Sequence, residues 1–244
     1  MTSIAEKTIA EKTVRELALE SSSATRVFEK LGIDYCCGGD KPLDEACRVA
    51  GLSVGQVQDA LDAAKQQGAP AEKSWQIEPL TDLIAHINAI HHKFVRQEIA
   101  RLGPLFEKVC GVHGENHPEL LQIRRVFGDL AQELTSHMMK EEMVLFPFIA
   151  RMEEAVIAGE PVVPPPFGTV ANPVSMMEHE HDNAGVALKV MRSASNGYTA
   201  PEGACASYQA LYQALAEFEA DLHQHIHLEN NILFPRALKM EKQH

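Results

Sequence analysis

Apolar side chains return every third or fourth position through four stretches of the chain, about 79–109, 119–156, 173–194 and 203–240. This is the rhythm of helices with one buried face. The breaks between them, CGVHGENHP, AGEPVVPPPFGTVANP and SASNGYTAPEGA, are rich in Gly, Pro, Asn and Ser. Four such helices in series predict an all-α, four-helix bundle. Up-down-up-down order is expected because two of the connections are short.

Ahead of this lies a region of shorter helices. Weak periodicity over 13–19 is followed by Ser23 to Leu31, stopped by Gly32, and Leu43 to Ala50, stopped by Gly51. Ser53 opens a further helix to about Gln67, with Gln56 placed for a capping box and Gly68 and Pro70 beyond its end. The organisation expected is a small helical domain over 1–68, a linker over 69–78 and the bundle over 79–244.

A repeat sits inside the bundle. HMMKEEMVLFP (137–147) and HIHLENNILFP (225–235) share His first, Glu four later, Leu eight later and Phe-Pro at the end. Histidines 92, 137, 181 and 225 follow one another at gaps of 45, 44 and 44 residues, which gives each helix one histidine at one level. Periodicity decides which polar groups face inward. Leu215, Phe218, Leu222, His225, Glu229 and Ile232 lie on one seam, and Phe127, Leu130, Leu134, His137, Glu141 and Val144 on another. His181 interrupts Val174, Met177, Ala184 and Leu188; His92, favoured over His91, runs with Val95, Ile99, Leu102 and Phe106. His223 and His227 fall on a different, wetter face, since two residues turn a helix by roughly 200°.

Composition narrows the chemistry. The chain is 45% apolar and 23% charged, ordinary for a globular protein, and its net charge of −12 argues against nucleic acid or anionic membrane as partner. No segment approaches the roughly 20 apolar residues of a membrane span, and the N-terminus has no signal-peptide core, so the expected location is cytoplasmic. Cys36, Cys37 and Cys47 lie in the first fifth of the chain, whereas all 12 histidines lie between His86 and His244. Free thiols are expected rather than disulfides.

Four histidines and two glutamates aimed into an apolar core demand compensation, because a buried imidazole or carboxylate left without a partner costs several kcal/mol. A bound cation supplies it. Nitrogen and carboxylate oxygen without thiolate fit iron or manganese. Two glutamates on separate helices suit a pair of metals bridged by carboxylates.

These motifs, with EHEHDNAG and the N-terminal DYCCGG, resemble the hemerythrin-like di-iron domain and short cysteine-bearing domain of the RIC (repair of iron centres) family. The resemblance implies a hemerythrin-like bundle with His92, His137, His181 and His225 as terminal iron ligands. Glu141 and Glu229 would bridge two iron ions, joined by an oxo group when oxidised. It also implies repair of iron–sulfur clusters damaged by oxidative or nitrosative stress, through donation of labile iron. Damaged iron–sulfur proteins would be partners, nitric oxide or O2 small ligands, and a homodimer the assembly. The alternatives are a di-iron nitric oxide reductase or scavenger and an O2 or redox sensor; no catalytic residue is singled out.

The remaining candidates have lesser roles. Cys36 and Cys37 are either buried turn residues or a reactive thiol pair, and Cys47, Cys110 and Cys205 are expected to be structural. His113, Glu133 and Glu180 are candidates for places around the ligands; the two glutamates are expected to be either solvated or beside the ligands, with a proton or iron relay as the alternative. His91, His179, His223 and His227 are expected on the surface or just outside the ligands.

Overall fold

The computed structural model describes residues 7–66 and 73–243, so the Gly68–Pro70 helix stop and linker residues 69–72 lie outside the described residues. The chain divides into two compact units. One is Met1–Glu78 together with Ile226–Ile232; the other is Pro79–His225 with Leu233–His244.

Among the described residues of 7–66, four helices form where the punctuation predicts: α1 (Val14–Glu20), α2 (Ser22–Leu31), α3 (Leu43–Ala50) and α4 (Val54–Gln66). Thr13 and Glu16 close a capping box on α1 that makes this short helix viable. The box expected on α4 is formed: Ser53 N–H donates to Gln56 Oε1 at 2.8 Å, and Gln56 N–H to Ser53 Oγ at 3.3 Å. Gly32 and Gly51 end α2 and α3 at φ of 67° and 71°, a left-handed conformation that costs glycine little. Val14, Phe28, Leu43 and Val57 are fully buried in the core.

The longer helices run close to the expected bounds and belong to the second unit, except for Ile226–Ile232 of the last. Three are interrupted by a π-helical turn, a wider turn that periodicity cannot reveal. The first rod is α5 (Leu80–His86), π1 (Ile87–His92) and α6 (Lys93–His113). The second is α7 (Glu119–Lys140), π2 (Glu141–Leu145) and α8 (Phe146–Ala158). The third, α9 (Ala171–Ala194), is α-helical throughout, and the fourth is α10 (Ala206–Leu228), π3 (Glu229–Leu233) and α11 (Phe234–Gln243). Pro147 and Pro235 of the repeats each stand just past a π-turn. There the hydrogen-bond register changes, and a residue without an N–H is tolerated.

The predicted seams are the core: Leu102, Phe106, Phe127, Leu130, Leu134, Leu188, Phe218 and Leu222 are buried. Phe127 packs its ring 5.3 Å from Phe106 and 5.5 Å from Phe218. The start of α5 has no side-chain cap of its own. The buried Glu153 carboxylate supplies one, accepting from Leu80 N–H at 2.6 Å and Thr81 N–H at 2.8 Å. Two otherwise orphaned helix donors are thereby satisfied.

Candidate metal centre

Each π-turn begins or ends on a residue that the seams point inward. His92 ends π1, Glu141 begins π2 and Glu229 begins π3. The polar residues of the seams, His92, His137, Glu141, His181, His225 and Glu229, are all buried, and their donor atoms converge.

They form two groups able to hold a metal ion: His92, Glu141, His225 and Glu229, and His137, Glu141, His181 and Glu229. Within each group the ligand atoms lie within 4.8 Å of one another, and both carboxylates belong to both groups. The histidine rings meet through Nε2, at 3.1 Å between His92 and His225 and 3.0 Å between His181 and His137. Glu141 Oε2 stands between the groups, 3.3 Å from His92 Nε2 and 3.4 Å from His137 Nε2.

Hydrogen bonds behind two of the rings show that the set fits a cation. His92 Nδ1 lies 2.7 Å from Glu142 Oε1, and His137 Nδ1 lies 2.8 Å from Glu180 Oε2. An ionised carboxylate only accepts, so Nδ1 carries the proton and the Nε2 lone pair points to the centre, as metal ligation requires. Each outer carboxylate also meets a surface cation: Arg96 on Glu142 at 2.7 Å, and Lys140 on Glu180. Burial pushes both carboxyls up, but the bonds from His92 and Arg96 to Glu142, and from Lys140 and His137 to Glu180, outweigh it. Both end below the usual value. They stay ionised, and the proton stays on Nδ1.

The repeated Phe has a function in this geometry. Phe146 stacks on His92, with ring centroids 5.8 Å apart, and Phe234 stacks on His181 at 6.1 Å. Each repeat therefore supplies a histidine, a carboxylate and an apolar plate against a histidine of another helix. The plates exclude water and fix ring orientation.

A Hemerythrin HHE cation binding domain matches residues 82–237, and a Domain of Unknown function (DUF542) matches residues 10–65. The chain is 37% identical to the iron-sulfur cluster repair protein YtfE of Pectobacterium atrosepticum over 95% of its own length and 98% of the relative's. It is 38% identical to that of Musicola paradisiaca over the same shares, and 39% identical to that of Cronobacter sakazakii over 93% and 96%. The chain belongs to the YtfE family. Its hemerythrin-like domain accounts for the donor set of imidazole and carboxylate, and for iron as the metal that set serves.

Several residues stand elsewhere than expected. His113 closes α6, 21 residues beyond His92 and so about 30 Å along the helix. Its Nε2 lies 3.1 Å from Cys205 Sγ, outside both ligand groups. Of the two glutamates expected to be solvated or beside the ligands, Glu133 is exposed on α7, one turn from His137, and Glu180 touches a ligand histidine. Cys205, expected to be structural, is exposed, while Cys36, Cys47 and Cys110 are buried. A hydrogen bond with Cys37 and burial push the Cys36 thiol well up, which argues against a reactive thiolate at that sulfur.

His227 is not on a wet face. It is buried, and burial drives its imidazole down to about 4, against a smaller opposing pull from a hydrogen bond with the Tyr35 backbone. His91 is also buried, 2.9 Å from Asp221 and stacked on the His225 ring at 5.6 Å. Glu142 and Asp221 carried only a weak signal in sequence. Glu142 is the second Glu of the doublet KEE, and Asp221 one acidic residue among many on its helix.

Proposed function

We propose that the chain holds two iron ions and delivers iron to iron–sulfur clusters damaged by oxidative or nitrosative stress. The observation that carries this reading is the sharing of Glu141 and Glu229 by two four-residue groups. Two adjacent cations bridged by two carboxylates account for that arrangement. His92 and His225 would serve one ion, His137 and His181 the other, with an oxo bridge completing the oxidised pair.

When bound, iron supplies redox and Lewis-acid chemistry and is also the cargo. The chain's own residues present four lone pairs, hold the Nδ1 protons through Glu142 and Glu180, and shield two histidine rings with Phe146 and Phe234. With four residues able to hold each ion, coordination positions would stay open for exchange. Open positions favour iron that exchanges and small ligands such as nitric oxide or O2. The clients in this reading are damaged iron–sulfur proteins in the cytoplasm, and a homodimer is the assembly. The iron-sulfur cluster repair proteins that align along 95% of the chain support it.

The test uses a dehydratase whose cluster has been damaged by nitric oxide, incubated with the iron-loaded full chain, a thiol reductant and no other iron. Recovery of dehydratase activity with the loaded chain, and less at equal protein concentration with Glu141→Leu, is expected. No recovery with the loaded chain overturns the reading.

A further inference from the structure

Within the first compact unit, the turn DYCCGGD and the helical segment Ile226–Ile232 are joined by a buried polar network around Asn231. Arg15 Nε donates to Asn231 Oδ1 at 2.5 Å. A guanidinium only donates, so the amide oxygen must face Arg15 and the NH2 must face the other way. That NH2 lies 2.9 Å from the Tyr35 carbonyl oxygen and 2.8 Å from His227 Nδ1. The Tyr35 ring packs edge-on against His227, with centroids 5.5 Å apart.

The turn is shaped for this contact. Asp34 Oδ1 accepts from Cys37 N–H at 3.1 Å and Gly38 N–H at 2.9 Å, which closes the turn and presents the Tyr35 carbonyl. A Cβ on Gly39 would meet the Tyr35 oxygen and Arg15 Cβ at 3.2 Å and Asn231 Oδ1 at 3.5 Å, so glycine permits the close approach. Arg15 is held in turn by Asp40 at 2.9 Å, and its N–H donates to the Gly39 carbonyl at 2.7 Å.

The comparison within the chain is the repeat itself. Met139 and Met143 stand where the second repeat has His227 and Asn231, and they are 57% and 74% exposed, against 3% and 5%. Residues 225 and 229 belong to the ligand groups, while 227 and 231 alternate with them and engage the turn. Glu229 and Asn231, one of each set, lie together in π3, a wider turn with poorer intrinsic geometry than an α-helix.

We propose that the DYCCGG turn is a positioning device for Glu229. Acting through Asn231 and Arg15, it fixes the π-turn that carries this carboxylate and sets how readily metal leaves the centre. The proposal rests on the di-iron reading above. Asn231 and Arg15 are positioning residues; neither is a ligand.

The full-length chain, loaded with iron(II), is mixed with a strong iron(II) chelator and the release rate measured for wild type, Asn231→Ala, Arg15→Ala and Val57→Ala. Asn231→Ala loses two or three hydrogen bonds, and release about tenfold faster is expected, with Arg15→Ala changed in the same direction. Val57→Ala weakens the same unit's core away from the network and is expected to release iron at the wild-type rate. Wild-type rates in both network variants, or equal acceleration by Val57→Ala at matched melting temperature, overturn the proposal. If the wild-type chain holds no iron, the di-iron reading fails instead. Amide exchange over 229–233 in the metal-free proteins then decides: faster exchange in both network variants supports the positioning role, and unchanged exchange overturns it.

Discussion

Glu142 accepts from His92 Nδ1 at 2.7 Å, one residue after Glu141, one of the two glutamates that the ligand groups share. The Glu180–His137 pair does the same for the other group, so each group has one histidine aimed from behind by a carboxylate that is itself held by a surface cation. Glu142→Gln and Glu180→Gln keep the side-chain shape and remove the charge. Each is expected to weaken metal affinity roughly tenfold or more, measured by competition with a chelator of known affinity. Unchanged affinity in both would mean that these carboxylates do not orient the ligands.

The shared carboxylates make a separate prediction. Glu141→Leu or Glu229→Leu is expected to reduce bound iron from two ions to about one per chain, read by elemental analysis of the purified protein. His223→Ala is the matched control. His223 is near Glu219 and outside both ligand groups, so full iron content should remain.

Thiol reactivity should invert the expectation drawn from the adjacent cysteines. Cys205 is exposed beside His113, whereas Cys36 is buried with its thiol pushed well above the ordinary value. A raised thiol pKa means less thiolate at any given pH, so alkylation of Cys36 should stay slow beyond pH 9. With limiting iodoacetamide at pH 8, mass spectrometry is expected to find Cys205 labelled first. Earlier labelling of Cys36 would contradict the burial and hydrogen bonding assigned to it.

Stability of the second unit depends on a contact far apart in sequence. Glu153→Ala leaves the Leu80 and Thr81 N–H groups without their acceptor, at a cost of about 1–2 kcal/mol. In a chain of this size that lowers the melting temperature by roughly 2–8 °C by calorimetry. Glu153→Gln, which retains one acceptor oxygen, should lose less.

The sequence by itself determined the helices, their seams and the six polar residues on those seams. Each of these depends on neighbours three or four positions away, and burial of one helix face writes that period directly into residue type. Val144 shows where the period gives out: expected on a buried seam, it is 46% exposed, because π2 widens the turn between Glu141 and Leu145 and rotates the side chains within it.

Only the tertiary structure decided the pairings. Glu142 meets His92 across 50 residues, Glu180 meets His137 across 43, and Asn231 meets Tyr35 across 196. His227 looked like a surface histidine because helical rotation puts it opposite His225. Rotation says which way a side chain faces but not what covers that face. There it is the DYCCGG turn that covers it, and a buried, neutral imidazole results.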